Sequence, residues 1–233
     1  MALPHLDLAL VLTGEFRTWL LNGFVLSLQL MLITLSLALP LATVIALFRL
    51  SAVAPLRWLG FFMVEGVRSV PLLVHMLFWY FAAPELLPES VRQWLYGHNA
   101  EAICAVVALT LYTSAYMAED VRSGIRAVPI TQLEAGRALG FGFLSTMRRI
   151  ILPQALRITV PPLISQTLSL WKNTSIATVI GTAELMYQAQ RVETASFRGV
   201  ETFAVTTLAY LSVSLIITAL AAWYQHRYPV RAL

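Results

Sequence analysis

Two opposite charges lie one helical turn apart within a long apolar stretch of the sequence. Glu65 and Arg68 are three residues apart between residues 58 and 83, so a helix would place both on one face. An ionised side chain at bilayer depth costs at least roughly 2.5–3.5 kcal/mol and usually has a function. Arginine can bind a carboxylate through two parallel hydrogen bonds. The pair predicts either a site for a small charged ligand or a structural role, in which Glu65 neutralises Arg68 or Arg68 braces a subunit interface.

A second polar cluster, formed by Lys172, Asn173 and Thr174, interrupts another apolar stretch of the sequence. Such side chains cannot all face lipid at low cost, so part of the cluster should face a cavity or a neighbouring helix. The alternative is that its polar groups only join helices through hydrogen bonds. A third group, Glu119 and Arg122, ends a further apolar run, and we interpret it either as a gate or as a solvated helix end.

The elements that must carry these residues are membrane-spanning helices. Of the 233 residues, 58% are hydrophobic and 12% are charged, whereas soluble domains contain about 25% charged residues. The apolar residues also occur in blocks of the roughly 20 residues that a helix needs to cross a bilayer. Because proline disfavours helical backbone at the preceding residue, Pro71 predicts a break beside Arg68. We predict an all-α polytopic membrane protein, a single transmembrane domain covering residues 1–233, with five spans at residues 20–48, 58–83, 100–118, 158–180 and 200–224.

The distribution of arginine predicts the orientation of these spans. Ten arginines fall in the first and third connections and the C-terminal tail, whereas four fall in the N-terminal tail and the other two connections. Segments rich in basic residues stay on the cytoplasmic side of a membrane. The N-terminus is therefore predicted outside, and the C-terminus and residues 119–157 in the cytoplasm. The same rule explains the net charge of +4 without nucleic acid as a partner.

Several kinds of chemistry lack the residues that they require. Lys172 is the only lysine and follows Trp171, so the sequence contains no GxxxxGK[ST] loop for nucleotide phosphates. The four histidines are scattered without an HExxH motif, and Cys104 is the only cysteine, so we predict neither a metal site nor a disulfide. No nucleophile–base pair stands at helical spacing, which disfavours an intramembrane enzyme.

The cytoplasmic segment is predicted to form two short helices joined by a glycine turn. Thr131 and Glu134 have the spacing of a capping box, which predicts a helix start near Thr131. Gly140 can adopt the left-handed conformation that ends a helix. A second helix is predicted at about residues 144–151, ending at the Leu152–Pro153 pair because proline disfavours helical backbone before it. Small side chains in the first helix would let a partner approach closely, and Glu134 could pair with a basic group of that partner.

This segment resembles the EAA loop (EAA-x3-G-x9-I-x-LP) through which the membrane permeases of ABC importers dock on their ATPase. Gly136 stands where the family usually has a second alanine, and glycine costs a helix roughly 1 kcal/mol, so we expect a looser docking helix. The matching positions are Glu134, Ala135, Gly136, Gly140, Ile150, Leu152 and Pro153.

Three longer stretches are similar to the polar amino acid uptake branch of these permeases. They read FRLSAVAPLRWLGFFMVEGVRSVPLL, AYMAEDVRSGIRAVPITQLEAGRALG and PPLISQTLSLWKNTSIATVIG. The first is most similar to glutamate/aspartate permeases. The third contains the K-[ND]-T-S pattern of the family, and this resemblance implies that Lys172, Asn173 and Thr174 line the translocation path.

The resemblance implies the ABC importer type I permease fold and a multi-pass location in the bacterial inner membrane. The expected function is the permease subunit of an ATP-driven importer of polar amino acids, with glutamate and aspartate as the narrower expectation. The expected partners are a second permease subunit, identical or similar, two ATP-binding cassette subunits and an extracytoplasmic amino acid-binding protein. The partner ATPase would bind ATP and Mg, so the chain itself is expected to need no cofactor and to be no enzyme. The alternative is an ion-coupled secondary carrier or channel that uses Glu65 and Arg68 as a relay.

Overall fold

Helices make up all the regular structure in residues 8–229, the part of the chain that the computed structural model describes. The predicted all-α class is therefore confirmed for this part. Its α-helices are α1 (Leu8–Val11), α2 (Gly14–Leu50), α3 (Ala54–Arg68), α4 (Leu72–Leu77), α5 (Glu89–Tyr96), α6 (Ala100–Arg126), α7 (Ile130–Ala138), α8 (Phe143–Thr146), α9 (Leu152–Asn173), α10 (Leu185–Ser196) and α11 (Gly199–Arg227). Adjoining them are two π-helical segments (Phe78–Ala82 and Met147–Ile151) and two 3-10 segments (Ala83–Leu86 and Thr174–Ile180).

Three helices of the described chain, α2, α6 and α11, are long and apolar enough to cross a membrane. Helix α3 and the helical residues after its end add a fourth crossing if the two pieces form one bent span. Helix α9, which covers most of the predicted span 158–180, is not among them because it also carries Gln154, Arg157, Gln166 and Lys172. The number of five spans therefore stays a prediction. The predicted sides of the two termini concern residues 1–7 and 230–233, which lie outside the described residues.

The second predicted span is interrupted where Pro71 predicts a break. Helix α3 ends at Arg68, and the N–H of Ser69 donates to the Glu65 carbonyl at 3.0 Å. Pro71 is extended, with φ −59° and ψ 144°, and precedes the first residue of α4. The break beside Arg68 is confirmed, and it places the arginine at a helix end.

Helix α6 is longer than the predicted span 100–118. It continues for two further turns to Arg126. These turns carry Glu119 and Arg122, which pair on one helix face at i,i+3 spacing. Glu119 and Arg122 therefore do not end the helix, and their side chains are 23% and 18% exposed. Their role as a gate stays a prediction.

The chain divides into two compact units, each assembled from three stretches of sequence. The first unit comprises residues 1–35, 70–110 and 169–216. The second comprises residues 36–69, 111–168 and 217–233. Whether they act as the single predicted domain stays a prediction.

In the first unit, a buried carboxylate joins three helices. Glu184 is the N-cap of α10, and its side chain accepts hydrogen bonds from the N–H groups of Met186 at 2.9 Å and Tyr187 at 3.0 Å. The same carboxylate accepts from the Ser27 hydroxyl of α2 at 3.2 Å and the Tyr210 hydroxyl of α11 at 3.0 Å. Burial raises the pKa of the Glu184 carboxyl, and these hydrogen bonds oppose the rise. Four donors on one carboxylate thus hold α2, α10 and α11 together.

Helix α2 approaches α10 so closely that only glycine fits at the contact. A Cβ atom on Gly23 would lie 2.8 Å from the Gln188 side chain and 2.9 Å from the backbone of Glu184 and Leu185. Packing of this closeness leaves no room for adjustment. The buried cluster nearby consists of Val11, Leu20, Leu185, Ala189 and Val192.

In the second unit, α6 and α9 meet in a similar way. A Cβ atom on Gly124 would lie 1.9 Å from the Thr159 hydroxyl oxygen. Further along the same helix pair, the Gln166 amide donates to Asp120 at 3.0 Å. Close backbone approach and one side-chain hydrogen bond therefore hold the end of α6 against α9.

Replacing Glu184 is expected to loosen the first unit. Glu184→Ala leaves buried donors without an acceptor, which costs about 1–3 kcal/mol for a group of this kind. Glu184→Gln keeps the shape and one acceptor oxygen, so its loss should be smaller. The measurement is the thermal unfolding midpoint of the purified chain in detergent, with Glu193→Ala on the same helix as the control. A Glu184→Ala variant as stable as the control would contradict the structural role of this carboxylate.

Candidate functional site

Arg49, at the end of α2, lies between Glu65 and Glu119, two carboxylates that the sequence analysis identified as candidate site residues. Arg49 is only 12% exposed, with Nη1 3.5 Å from Glu65 Oε1 and Nη2 3.6 Å from Glu119 Oε2. Glu119 also accepts from Arg122, whose Nε lies 2.9 and 3.0 Å from its two oxygens and whose Nη2 contacts it as well. We call Glu65, Arg49, Glu119 and Arg122 the four-charge network. It joins α2, α3 and α6 within the second unit.

Close packing of α2 on α3 explains why Arg49, and not Arg68, pairs with Glu65. A Cβ atom on Gly60 would lie 3.0–3.2 Å from Phe48 and Arg49, so a glycine at this point of α3 lets the end of α2 approach. Arg49 then reaches Glu65 from the neighbouring helix. The interpretation in which Glu65 and Arg68 neutralise each other is therefore wrong.

Arg68 lies outside this network. Its guanidinium carbon is 5.2 Å from the centre of the Tyr116 ring on α6, within the range of a cation–π contact. Among the described residues, no carboxylate lies within 4 Å of its nitrogens. An exposed arginine at a helix break, held by a ring face, keeps its hydrogen-bond donors available for an anion.

Lys172 ends α9 at a pocket of about 200 Å³ in the first unit. The ammonium group has no carboxylate within 4 Å among the described residues. A cation surrounded by hydroxyl groups supplies the charge and the donors that a carboxylate needs when it leaves water. The rest of the lining consists of Ser175, Met186, Phe203, Thr206, Thr207 and Tyr210.

The two residues after Lys172 are placed differently. Thr174 is fully buried, and its hydroxyl donates to the Trp171 carbonyl at 2.7 Å. Asn173 is half-buried where α9 tightens into the 3-10 segment. Neither lines the pocket, so Lys172 is the member of the cluster that does. Arg68 belongs to the second unit, and its role in binding a small charged ligand stays a prediction.

The first helix of the predicted cytoplasmic segment is α7, which starts at Ile130, next to the predicted start at Thr131, but without the predicted cap. The N-cap is Pro129, in extended conformation and without a side-chain capping bond. Thr131 is therefore already inside the helix, and the capping box with Glu134 is wrong. Proline fixes the backbone geometry that precedes the first turn, and the helix starts one residue before Thr131.

The predicted stop at Gly140 is confirmed. Gly140 has φ +82°, its N–H donates to the Arg137 carbonyl at 2.9 Å, and the Phe141 N–H donates to the Gly136 carbonyl at 3.0 Å. These two bonds form a Schellman motif. The chain therefore turns sharply between α7 and α8.

The predicted stop of the second helix at Leu152 and Pro153 is wrong. Helix α8 passes through the π-helical turn Met147–Ile151 into α9, and Leu152 is helical with φ −59° and ψ −41°. The Leu152 N–H donates to the Met147 carbonyl five residues earlier. This wider turn accommodates the ring and the missing N–H of Pro153, which would otherwise disrupt the hydrogen bonds of an α-helix.

Helix α7 packs on α8 and the π-helical turn through its smallest residue. Gly136 is buried, and a Cβ atom there would lie 2.5 Å from Thr146 and 3.1 Å from Ile150. Gly136, which replaces the second alanine of the family pattern, therefore lets α7 lie close to Thr146 and Ile150. Glu134, Ala135 and Ala138 are exposed on α7. Of the matched positions, Gly140, Leu152 and Pro153 are also exposed, whereas Ile150 is half-buried.

Two structural residues, Arg49 and Glu184, are not predicted by the sequence analysis. Arg49 was counted only as a charge in a connection, although it follows directly on an apolar helix of membrane length. Glu184 lay between predicted spans, and its proximity to Ser27 and Tyr210 depends on contacts distant in sequence. The signal that could have indicated Glu184 is its position three residues after Gly181, which ends the preceding helical segment with φ +83°.

Comparison with known proteins supports the resemblance over most of the chain. The sequence profile of the family described as binding-protein-dependent transport system inner membrane component matches residues 38–229. The probable glutamine ABC transporter permease protein GlnM of Bacillus subtilis is 38% identical over 205 residues, covering 88% of this chain and 90% of that relative. The glutamate/aspartate import permease protein GltJ of Escherichia coli K12 is 32% identical over 203 residues, covering 85% and 82%.

Solved structures share the fold. The crystal structure of an amino acid ABC transporter with histidines is 28% identical, covers 97% of this chain and 100% of its own, and has a TM-score of 0.82. The MetNI methionine ABC transporter in inward-facing conformations, 16% identical, covers 93% and 99% with a TM-score of 0.73 and shows the fold alone. The chain belongs to the binding-protein-dependent transport system inner membrane component family, the membrane permeases of ABC importers, and its curated relatives include amino acid permeases.

Proposed function

We propose that the chain is the membrane-spanning permease subunit of an ATP-driven importer of polar amino acids, with glutamate and aspartate as the substrates to test first. The observation that carries the proposal is the geometry of residues 130–153. Helix α7 packs on α8 and the π-helical turn through Gly136, and Gln132 and Leu133 contact the start of α9. Other side chains of the segment stay exposed. This arrangement suits a segment that receives force from a second protein and passes it to a long helix.

The uncovered side of the segment has the composition of a docking surface. The apolar side chains of Ile130, Leu139, Phe143 and Leu144 are 65%, 74%, 59% and 78% exposed. Large exposed apolar groups in such numbers mark an interaction site. Glu134 is exposed in the same segment and offers a carboxylate to a basic group. The partner that would cover this surface is a separate ATPase, since the chain has no lysine for a phosphate loop.

The rest of the assembly follows from this docking. Two ATP-binding cassette subunits, which bind ATP and Mg, would act on two permease subunits, the second a copy of this chain or a similar permease. An extracytoplasmic binding protein would deliver the amino acid. The permease would lie in the bacterial inner membrane with five spans, its N-terminus outside and its C-terminus in the cytoplasm.

The substrate path is proposed to run past the two available cations. Lys172 and the hydroxyl groups of its pocket would receive the carboxylate of an amino acid, and Arg68 would offer a second set of donors. Glu119 and Arg122, as members of the four-charge network, would form the cytoplasmic gate. Movement of α6 driven by ATP would separate charges that three helices share.

Reversing the charge of Glu134 is expected to abolish uptake while leaving insertion intact. Glu134→Arg would repel a basic group on the ATPase, so copurification of the ATPase should fall or its substrate-stimulated hydrolysis should become uncoupled. Gln225→Arg is the matched control, because it adds positive charge to an exposed position on the same predicted side. Normal uptake by Glu134→Arg would refute the docking role, and uptake driven by an ion gradient without ATP would favour a secondary carrier.

Labelling of single cysteines tests the proposed topology. In a Cys104→Ser background, Ser90→Cys should react with an impermeant reagent from outside, because residue 90 lies in the connection with only one arginine. Arg148→Cys should react only after permeabilisation. Labelling of position 148 in intact cells would overturn both the topology and the docking surface.

Substitution of the two cations tests the substrate path. Losing a hydrogen bond to a charged group costs about 1.5–3 kcal/mol, so Lys172→Gln and Arg68→Lys should each raise the half-saturating substrate concentration roughly tenfold or more. Arg68→Lys keeps the charge and removes only the planar fork. The measurement is uptake in complexes that still assemble, with Arg17→Gln, an exposed arginine in neither site, as the control. Wild-type affinity and rate in both variants would place the substrate site elsewhere.

A further inference from the structure

Four arginines line one cavity of about 250 Å³ in the second unit. Two of them, Arg49 and Arg122, belong to the four-charge network. The other two, Arg57 near the start of α3 and Arg126 at the end of α6, are exposed. The remaining wall is aromatic and consists of Trp58 and Phe61.

The cavity is positively charged after its carboxylates are counted. Glu65 and Glu119 balance Arg49 and Arg122 within the network. Among the described residues, no carboxylate lies within 4 Å of the Arg57 or Arg126 nitrogens. Arg49 Nη1 is buried and lies 3.5 Å from Glu65 Oε1. The cavity therefore has two charges, those of Arg57 and Arg126, without a carboxylate partner.

The position of the cavity in the fold indicates which anion it takes. It lies where α2 ends, α3 begins and α6 ends, so its arginines stand at the polar ends of apolar helices. Trp58 and Phe62 stack beside it and are 55% and 67% exposed. Exposed aromatic rings next to arginines are typical of the level of lipid headgroups.

We propose that this cavity binds the phosphate of an acidic phospholipid in the cytoplasmic leaflet. Arg57 and Arg126 contact the phosphate oxygens, and Trp58 and Phe61 pack against the glycerol and the upper acyl chains. Basic pockets between membrane helices on the cytoplasmic side recognise such headgroups. A free anion would use the same arginines but would gain nothing from the exposed aromatic rings. The site goes beyond amino acid transport and does not depend on which substrate is carried.

Lipid binding by the purified full chain tests the proposal. The chain is exchanged into equal mixtures of phosphatidylglycerol and phosphatidylcholine, and retained lipid is measured by native mass spectrometry. The wild type should retain phosphatidylglycerol selectively. Each arginine near a charged surface contributes roughly a fivefold factor in affinity, so Arg57→Gln/Arg126→Gln should weaken retention about 25-fold. Arg157→Gln, an exposed arginine outside the cavity on the same predicted side, should retain the lipid as the wild type does.

Two further arms separate the possible outcomes. Arg57→Lys/Arg126→Lys keeps both charges and should keep most of the binding, which distinguishes lost recognition from misfolding of the glutamine variant. Inorganic phosphate in excess should leave the phosphatidylglycerol in place. Displacement by phosphate would assign the cavity to a free anion, and equal retention by the wild type and the double glutamine variant would overturn the site itself. Neither result would bear on uptake or ATPase docking.

Discussion

The sharing of Arg49 by two carboxylates is the interaction on which the second unit depends. Glu119 is 23% exposed and Glu65 is 42% exposed, so the pair of Arg49 with Glu119 is the more buried of the two. Removing Arg49 would leave the Glu119 carboxylate partly desolvated and with one cation fewer. The two ion pairs connect the end of α2 to α3 and α6. Gly60 makes this possible by admitting the arginine to within reach of both. The Arg49 side chain and the missing side chain at Gly60 thus bring α2, α3 and α6 together.

The first unit also contains a charge that must be compensated away from water, but hydrogen bonds compensate it in place of an ion pair. Glu184 is buried without a cation, and four hydrogen-bond donors take the place of the positive charge. Its partners come from α2, α10 and α11, so the carboxylate has a structural role comparable to that of Arg49. In both units the compensated charges hold helices together. Among the described residues, Arg68 and Lys172 have no carboxylate within 4 Å, and for this reason they are the cations that we propose for the substrate path.

Features that depend on local backbone chemistry could be predicted from the sequence. The break at Pro71 and the stop at Gly140 each follow from the conformations open to one residue, and both were found as expected. The capping role of Thr131 failed because Pro129, two residues earlier, already sets the helix start. The partner of Glu65 could not be read from spacing, since Arg49 reaches it from another helix. The contact of Gly136 with Thr146 could not be predicted from spacing either, because it forms only after the turn at Gly140 brings the chain back.

The π-helical turn at Met147–Ile151 gives α9 a property that a regular helix lacks. A π turn contains one residue more than an α turn. The continuous helix from α8 to α9 therefore contains one extra residue at this turn. If that insertion were absorbed, every side chain beyond it would rotate by about 100° and move by about 1.5 Å along the axis. Lys172, one residue before the end of α9, would then change its direction relative to the start of the same helix.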